Sequence, residues 1–307
     1  IERSFRLNSG GAVMRSFPGS SLISGLLAVG LMATVIAALM AIVIATGSIA
    51  SAQDATTKYV RFTHDGQTVF GILNGTSIAT LDGDPIAGAK PTGQTVALDS
   101  VRLLPPADAS KVFAVGMNFA SHISSASDRP PPLFLKLPTS LTGSGSDVEL
   151  PPDANNVHFE GELVLVIGKQ AKNVSEADAM DYVFGLTAGN NLTERSRQGR
   201  DLQWMRAKAA DGFGPAGPAL VTGLDPNNIL LTTRLNGEIV QQENTRNMIH
   251  KPAKVVSYLS RYFTFNPGDM IFMGTPGRTS ALDNGDVVTV TIEGIGTLSN
   301  RTVRPGG

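Results

Sequence analysis

The stretch His158-Phe159-Glu160-Gly161-Glu162-Leu163-Val164-Leu165-Val166-Ile167-Gly168 decides how this chain is read. Residues 163–167 form an unbroken apolar run that predicts a β-strand. Two carboxylates stand at its entrance, one residue apart. In an extended backbone residues i and i+2 point to the same face, so Glu160 and Glu162 converge and repel. A hard divalent cation (Mg²⁺, Mn²⁺ or Ca²⁺) removes that repulsion by accepting their oxygens as ligands. An isolated Glu-x-Glu is more often a solvated strand entrance, so the pair has to be judged by what surrounds it.

Outward from this strand the sequence alternates short β-prone runs with turn dipeptides. Asp65-Gly66, Asn74-Gly75 and Asp82-Gly83 mark turns in a small N-terminal β subdomain, residues 53–106, closed by Pro105-Pro106. Residues 107–307 form the main domain. There, 111–115 is a strand, and the Ser- and Pro-rich 117–132 is a loop suited to act as a lid. Ser175 is placed as the N-cap of a short helix running to Val183. Asn236-Gly237 turns a hairpin over 231–242, and Pro252 opens a helix to Tyr262. A strand follows the Asn266-Pro267-Gly268-Asp269 turn, and 287–292 pairs with 297–303. The fold class is α+β and β-rich.

The 307 residues carry a formal net charge of −1, no cysteine and a hydrophobic fraction of 42%. The length suits one large domain with a small appendage. Disulfides, thiolate zinc sites and cysteine nucleophiles are excluded. Near-neutral charge gives no drive toward nucleic acid. Residues 1–13 read as sequence upstream of Met14, and 14–52 as a signal peptide or membrane anchor. Arg15 precedes an apolar run over 22–45, and Ala50-Ser51-Ala52 supplies an A-x-A cleavage site. The run is long enough to span a bilayer, so the expectation is an exported protein, periplasmic or secreted, or one anchored through 22–45.

Several ordered pieces then converge. Val115-Gly116-Met117-Asn118-Phe119 with His122 resembles a G-x-N-Y-x-x-H segment, and Phe134-Leu135-Lys136-Leu137-Pro138 an F-x-K-P stretch. The strand quoted above is similar to Y-E-x-E-L-x-x-V-I-G. Gly189-Asn190-Asn191-Leu192-Thr193-Glu194-Arg195 resembles an N-D-V-S-x-R loop, and Trp204 with Lys208 a W-x-x-x-K piece. Phe213-Gly214-Pro215-Ala216-Gly217-Pro218, Leu235-Asn236-Gly237-Glu238, Pro267-Gly268-Asp269 and Gly274-Thr275-Pro276 complete the set. Together they resemble the fumarylacetoacetate hydrolase superfamily, in its C-terminal catalytic domain type, from about 111 to 303.

The resemblance implies a mixed β-sandwich roll, usually a homodimer, with a metal held by three acidic side chains. Glu160 and Glu162 match the first two; Asn191 stands where the third, an Asp, is expected, and its carbonyl oxygen can still ligate. The implied cofactor is Mg²⁺, or Mn²⁺ or Ca²⁺. Lys208 matches a lysine beside metal and substrate, where it would bind a carboxylate or stabilise an enolate. His122 is the candidate general base, since imidazole takes up a proton near neutrality. Family members often carry a Glu three residues later; here Ser125 takes its place, Asp128 lies further along the loop, and the loop tyrosine is Phe119. Asn118, Arg195, Gln203 and Thr275 are the candidate substrate contacts, Arg195 more as a brace of the metal loop than as a chemical participant. The implied partner is a small 2-oxo or diketo acid. The implied activity is C–C hydrolysis, decarboxylation, hydration or isomerisation through a metal-bound enolate. The alternative is an exported non-catalytic binding protein with a degraded metal site.

Overall fold

The computed structural model describes residues 56–123 and 129–304. The signal peptide or anchor expected within 14–52, and the loop residues Ser125 and Asp128, lie outside the described residues. Among the described residues no helix is long and apolar enough to cross a membrane.

Strands β1 (Lys58–His64), β2 (Gln67–Asn74), β3 (Ser77–Leu81) and β4 (Pro91–Ala97) form an antiparallel meander. Asp65 and Gly66 take left-handed φ values of 49° and 75°, as a two-residue hairpin turn demands. A two-residue β5 (Arg102–Leu103) pairs with β1. Strand β1 also pairs with β14 (Gly214–Val221), Lys58 facing Val221 and Tyr59 facing Leu220, so the N-terminal strands extend the main sheet.

From β14 that sheet continues through β12 (Val183–Asn190), β11 (Gly161–Ile167), β17 (Met270–Phe272) and β6 (Val112–Val115) to the edge strand β7 (Leu133–Lys136). Strand β8 (Leu141–Thr142) lies parallel on β14. A second sheet runs β16 (Glu238–Asn244), β15 (Leu230–Leu235), β18 (Val287–Ile292), β19 (Gly296–Val303) and β9 (Asp147–Glu149). It packs on β11, β12 and β14 of the first, which gives the sandwich. A short ribbon joins β10 (Val157–His158) to β13 (Thr193–Glu194).

The apolar run at the centre has a clear cause. Leu163, Leu165 and Ile167 belong to one core, Val164 and Val166 to another on the opposite face of the sheet. Strand β11 is therefore buried on both sides, which requires a continuous run rather than an alternating one. The helices are short: α1 (Arg195–Gln198) and α2 (Met205–Lys208) are single turns, and α3 (Pro252–Tyr262) starts on its proline. The expected helix from Ser175 is a correction. Ser175 Oγ does accept from the Asp178 amide at 3.2 Å, but the turn that follows is a 3-10 segment, Ala179–Tyr182, because β12 begins at Val183.

Candidate active site

Gly161 sets the spacing of the two carboxylates. A Cβ there would stand 2.0 Å from Thr233 Oγ1 on β15, so only glycine lets β11 come this close to the second sheet. The Gly161 amide donates to Gln241 Oε1 at 3.1 Å, and its carbonyl accepts from Thr275 Oγ1 at 2.9 Å. Gln241 Nε2 in turn donates to Thr275 Oγ1 at 2.9 Å. Asn190 Oδ1 accepts from the Glu160 amide at 2.9 Å, and the Asn191 amide donates to the Glu160 carbonyl at 2.8 Å. These bonds fix the strand end that carries Glu160 and Glu162.

Both carboxylates are buried, but their partners differ. Glu160 accepts from Lys208 Nζ and from Arg195 Nη2, each at 2.6 Å. Burial pushes its pKa up, yet Lys208 and Arg195 outweigh that and hold it below the ordinary value. Glu162 has neutral partners: Asn191 Nδ2 at 2.9 Å and the Gly274 amide at 2.6 Å. Burial, reinforced by the charge of Glu160, pushes Glu162 up to about 7. Behind Asn191 lies a second lysine. Lys136 Nζ donates to Asn191 Oδ1 at 2.9 Å and to the Lys208 carbonyl. Burial, with Lys208 nearby, brings Lys136 down to about 7. Lys208 is also lowered by burial, against the pull of Glu160, and its Nζ sits 4.9 Å from the centre of the Phe134 ring.

A cavity of about 190 Å³ opens over Glu160, Glu162 and Lys208. His122, Asn191, Arg195 and Thr275 also line it, with Phe134 and Trp204 as apolar wall. The structure therefore brings together seven of the nine residues proposed from sequence. Asn118 is fully buried elsewhere: its side chain holds the Met273 and His250 carbonyls at 2.7 and 3.1 Å and the His250 amide at 2.6 Å. It braces the loop rather than lining the cavity. Gln203 lines a separate apolar cleft of about 360 Å³ beyond Phe134 and Trp204.

His122 Nδ1 lies 2.6 Å from the Gly277 carbonyl, which only accepts. Nδ1 therefore carries a proton, and in the neutral ring the lone pair is on Nε2. Four functional residues were not singled out from sequence. Gln198 lines the cavity and accepts from Arg195 Nη1 at 2.8 Å; its position on the same helical turn as Arg195 was the available signal. Lys136 was quoted within a motif without a role, although a lysine ending an apolar strand is itself a signal. Gln241 and Gly274 act through pairings that no local spacing announces.

The family described as fumarylacetoacetate (FAA) hydrolase C-terminal matches residues 111–303, and one described as Rv2993c-like, N-terminal, matches 57–106. Protein Rv2993c of Mycobacterium tuberculosis is 45% identical over 221 residues, 70% of this chain and 83% of its own length. The crystal structure of 2-hydroxyhepta-2,4-diene-1,7-dioate isomerase from Mycobacterium marinum is similar with a TM-score of 0.77 and 38% identity, covering 82% of this chain and all of that one (100%). That of fumarylpyruvate hydrolase from Pseudomonas aeruginosa, in complex with Mn²⁺ and pyruvate, is similar with a TM-score of 0.61 and 29% identity, covering 66% and 92%.

Proposed function

The chain belongs to the fumarylacetoacetate hydrolase family and is an enzyme of that family, and from this premise we propose that it moves a proton on a small 2-oxo acid, in a tautomerisation or isomerisation rather than a C–C hydrolysis. The observation that carries this reading is the orientation of His122. Its Nδ1–H is spent on the neutral Gly277 carbonyl at 2.6 Å, and Nε2 is left as a base beside the cavity. The Gly277 carbonyl orients the ring, and Glu160, which lines the same cavity, feels the charge of an imidazolium there. A proton taken up at Nε2 can be handed back to the substrate. That suits transfer between two carbons, or between carbon and oxygen, better than sustained activation of water.

The donor set suits a hard divalent cation such as Mg²⁺ or Mn²⁺. Among the described residues the direct hydrogen-bond partners of buried Glu162 are neutral, and the nearby Lys208 and Lys136 do not outweigh its burial, so a bound cation would relieve it. Glu160 and Glu162 would hold the ion, which when bound polarises the keto oxygen and stabilises an enolate. The chain's own groups do the rest. Lys208 supplies a fixed positive charge for the substrate's acidic end. Thr275 is held by Gln241 and Gly161 with its hydroxyl at the cavity wall. Phe134 and Trp204, in edge contact at 5.5 Å between ring centres, limit water on the apolar side.

The test is exchange of the C3 protons of oxaloacetate or pyruvate in D₂O with Mn²⁺ present, followed by NMR. The enzyme should accelerate exchange, and His122→Ala should lower the rate by roughly 10²-fold or more. Cleavage of an acylpyruvate without accelerated exchange would sink the proposal and favour hydrolysis.

A further inference from the structure

Asn191 occupies the position of the expected third ligand, yet its amide is turned the other way. Lys136 Nζ donates to Asn191 Oδ1 at 2.9 Å, the arrangement an ammonium requires. Asn191 Nδ2 donates to Glu162 Oε1 at 2.9 Å, the arrangement a carboxylate requires. Both neighbours demand the same orientation. Flipping the amide would set its NH₂ against an ammonium and its oxygen against a carboxylate, losing two hydrogen bonds and adding two repulsive contacts. Nor can Lys136 easily move aside. It is buried, it also donates to the Lys208 carbonyl, and its stem runs over Gly214, where a Cβ would stand 2.9 Å from Lys136 Cε.

We infer that Lys136 keeps Asn191 out of the metal's coordination shell, so that a divalent cation is held by Glu160 and Glu162 without a third side chain, and that Lys136 thereby sets the metal affinity of this chain. The inference rests on the reading that the two glutamates hold a divalent ion. An amide that presents its nitrogen to the site is no ligand for a hard cation. The charge of Lys136 adds a second, cruder effect, since any nearby cation weakens binding of another. A single Lys136 variant cannot separate the two effects; a double-mutant cycle can.

The experiment is Mn²⁺ titration of the purified protein by calorimetry, at one pH, for wild type, Asn191→Ala, Lys136→Met and the double variant, each checked by thermal melting. Asn191→Ala should not weaken Mn²⁺ binding in the wild-type background. In the Lys136→Met background, where the amide is free to turn, the same change should raise Kd about tenfold. Equal weakening by Asn191→Ala in both backgrounds would show that Asn191 already ligates and would overturn the inference. So would no weakening in either. If Lys136→Met does not fold, the wild-type arm decides alone, because tenfold weaker binding in Asn191→Ala is incompatible with an amide turned away. The metal reading is checked separately by Glu160→Ala, which should abolish binding. Absence of binding in both wild type and Lys136→Met would remove that reading and this inference together. If only Lys136→Met binds, the double variant decides: about tenfold weaker binding than Lys136→Met supports the inference, and equal binding overturns it.

Discussion

Glu162 and Lys136 are buried groups drawn from opposite sides to about 7, each mainly by desolvation. The raised carboxyl contributes stability that is full below its unfolded value, near 4.5, and lost as pH rises through about 7. The depressed ammonium contributes stability that is full above its unfolded value, near 10.5, and lost as pH falls through about 7. Both terms are unfavourable near neutrality in metal-free protein. Glu162→Gln should therefore raise the melting temperature of chelator-treated protein at pH 8, by the equivalent of roughly 1–3 kcal/mol, and give no gain at pH 4.5. An unchanged melt at pH 8 would mean that Glu162 carries no such penalty. At this scale the sequence, through its resemblance to the family, singled out Glu160, Glu162, His122 and Lys208, and the fold gathers them at one cavity. It did not disclose Lys136, because its reach to Asn191 depends on how β7 lies against the loop after β12.

Among the elements, β11 carries the largest constraint. It is pressed between two cores, and its glycine faces Thr233 at a distance no side chain tolerates. Gly161→Ala should destabilise the protein by about 1–3 kcal/mol in a denaturant melt. Thr233→Ala should cost little, since the buried Thr233 hydroxyl has no hydrogen-bond partner among the described residues. The double variant should regain part of the loss if the clash is the cause. Strand β11, the hairpin turn at Asn236-Gly237 (φ of 50° and 90°) and α3 were all legible, because each is written in neighbouring residues. The helix from Ser175 was not. Its start signal is local, but where it stops is set by the pairing of β12 with β11 and β14.

For the molecule as a whole, the N-terminal strands extend the main sheet through the pairing of β1 with β14. Val60, Phe62 and Ile78 are fully buried in the same core as Leu163 and Leu165. Removing residues 57–106 would expose the edge of β14 and that core. The truncated chain should aggregate or elute as large species in size-exclusion chromatography, without a cooperative melt. A compact truncated domain with an intact melt would show that the junction is dispensable. The break at Pro105-Pro106 was readable from composition. The pairing of Tyr59 with Leu220 was not, because nothing near either residue specifies a partner so distant in the chain.

The order of the strands also has a consequence in time. Strand β17 lies between β11 and β6, and the Gly274 amide and Gly277 carbonyl that grip Glu162 and His122 follow it directly. During synthesis β6, β7 and β11 emerge well before β17 exists, so Glu162 and His122 wait without the Gly274 amide and the Gly277 carbonyl. A chain that stalls before Met270 presents the unpaired edges of β11 and β6 on both sides of the gap. Such a product is a substrate for chaperones and proteases, and premature termination late in this chain should remove the protein from the cell rather than leave a weakened catalyst.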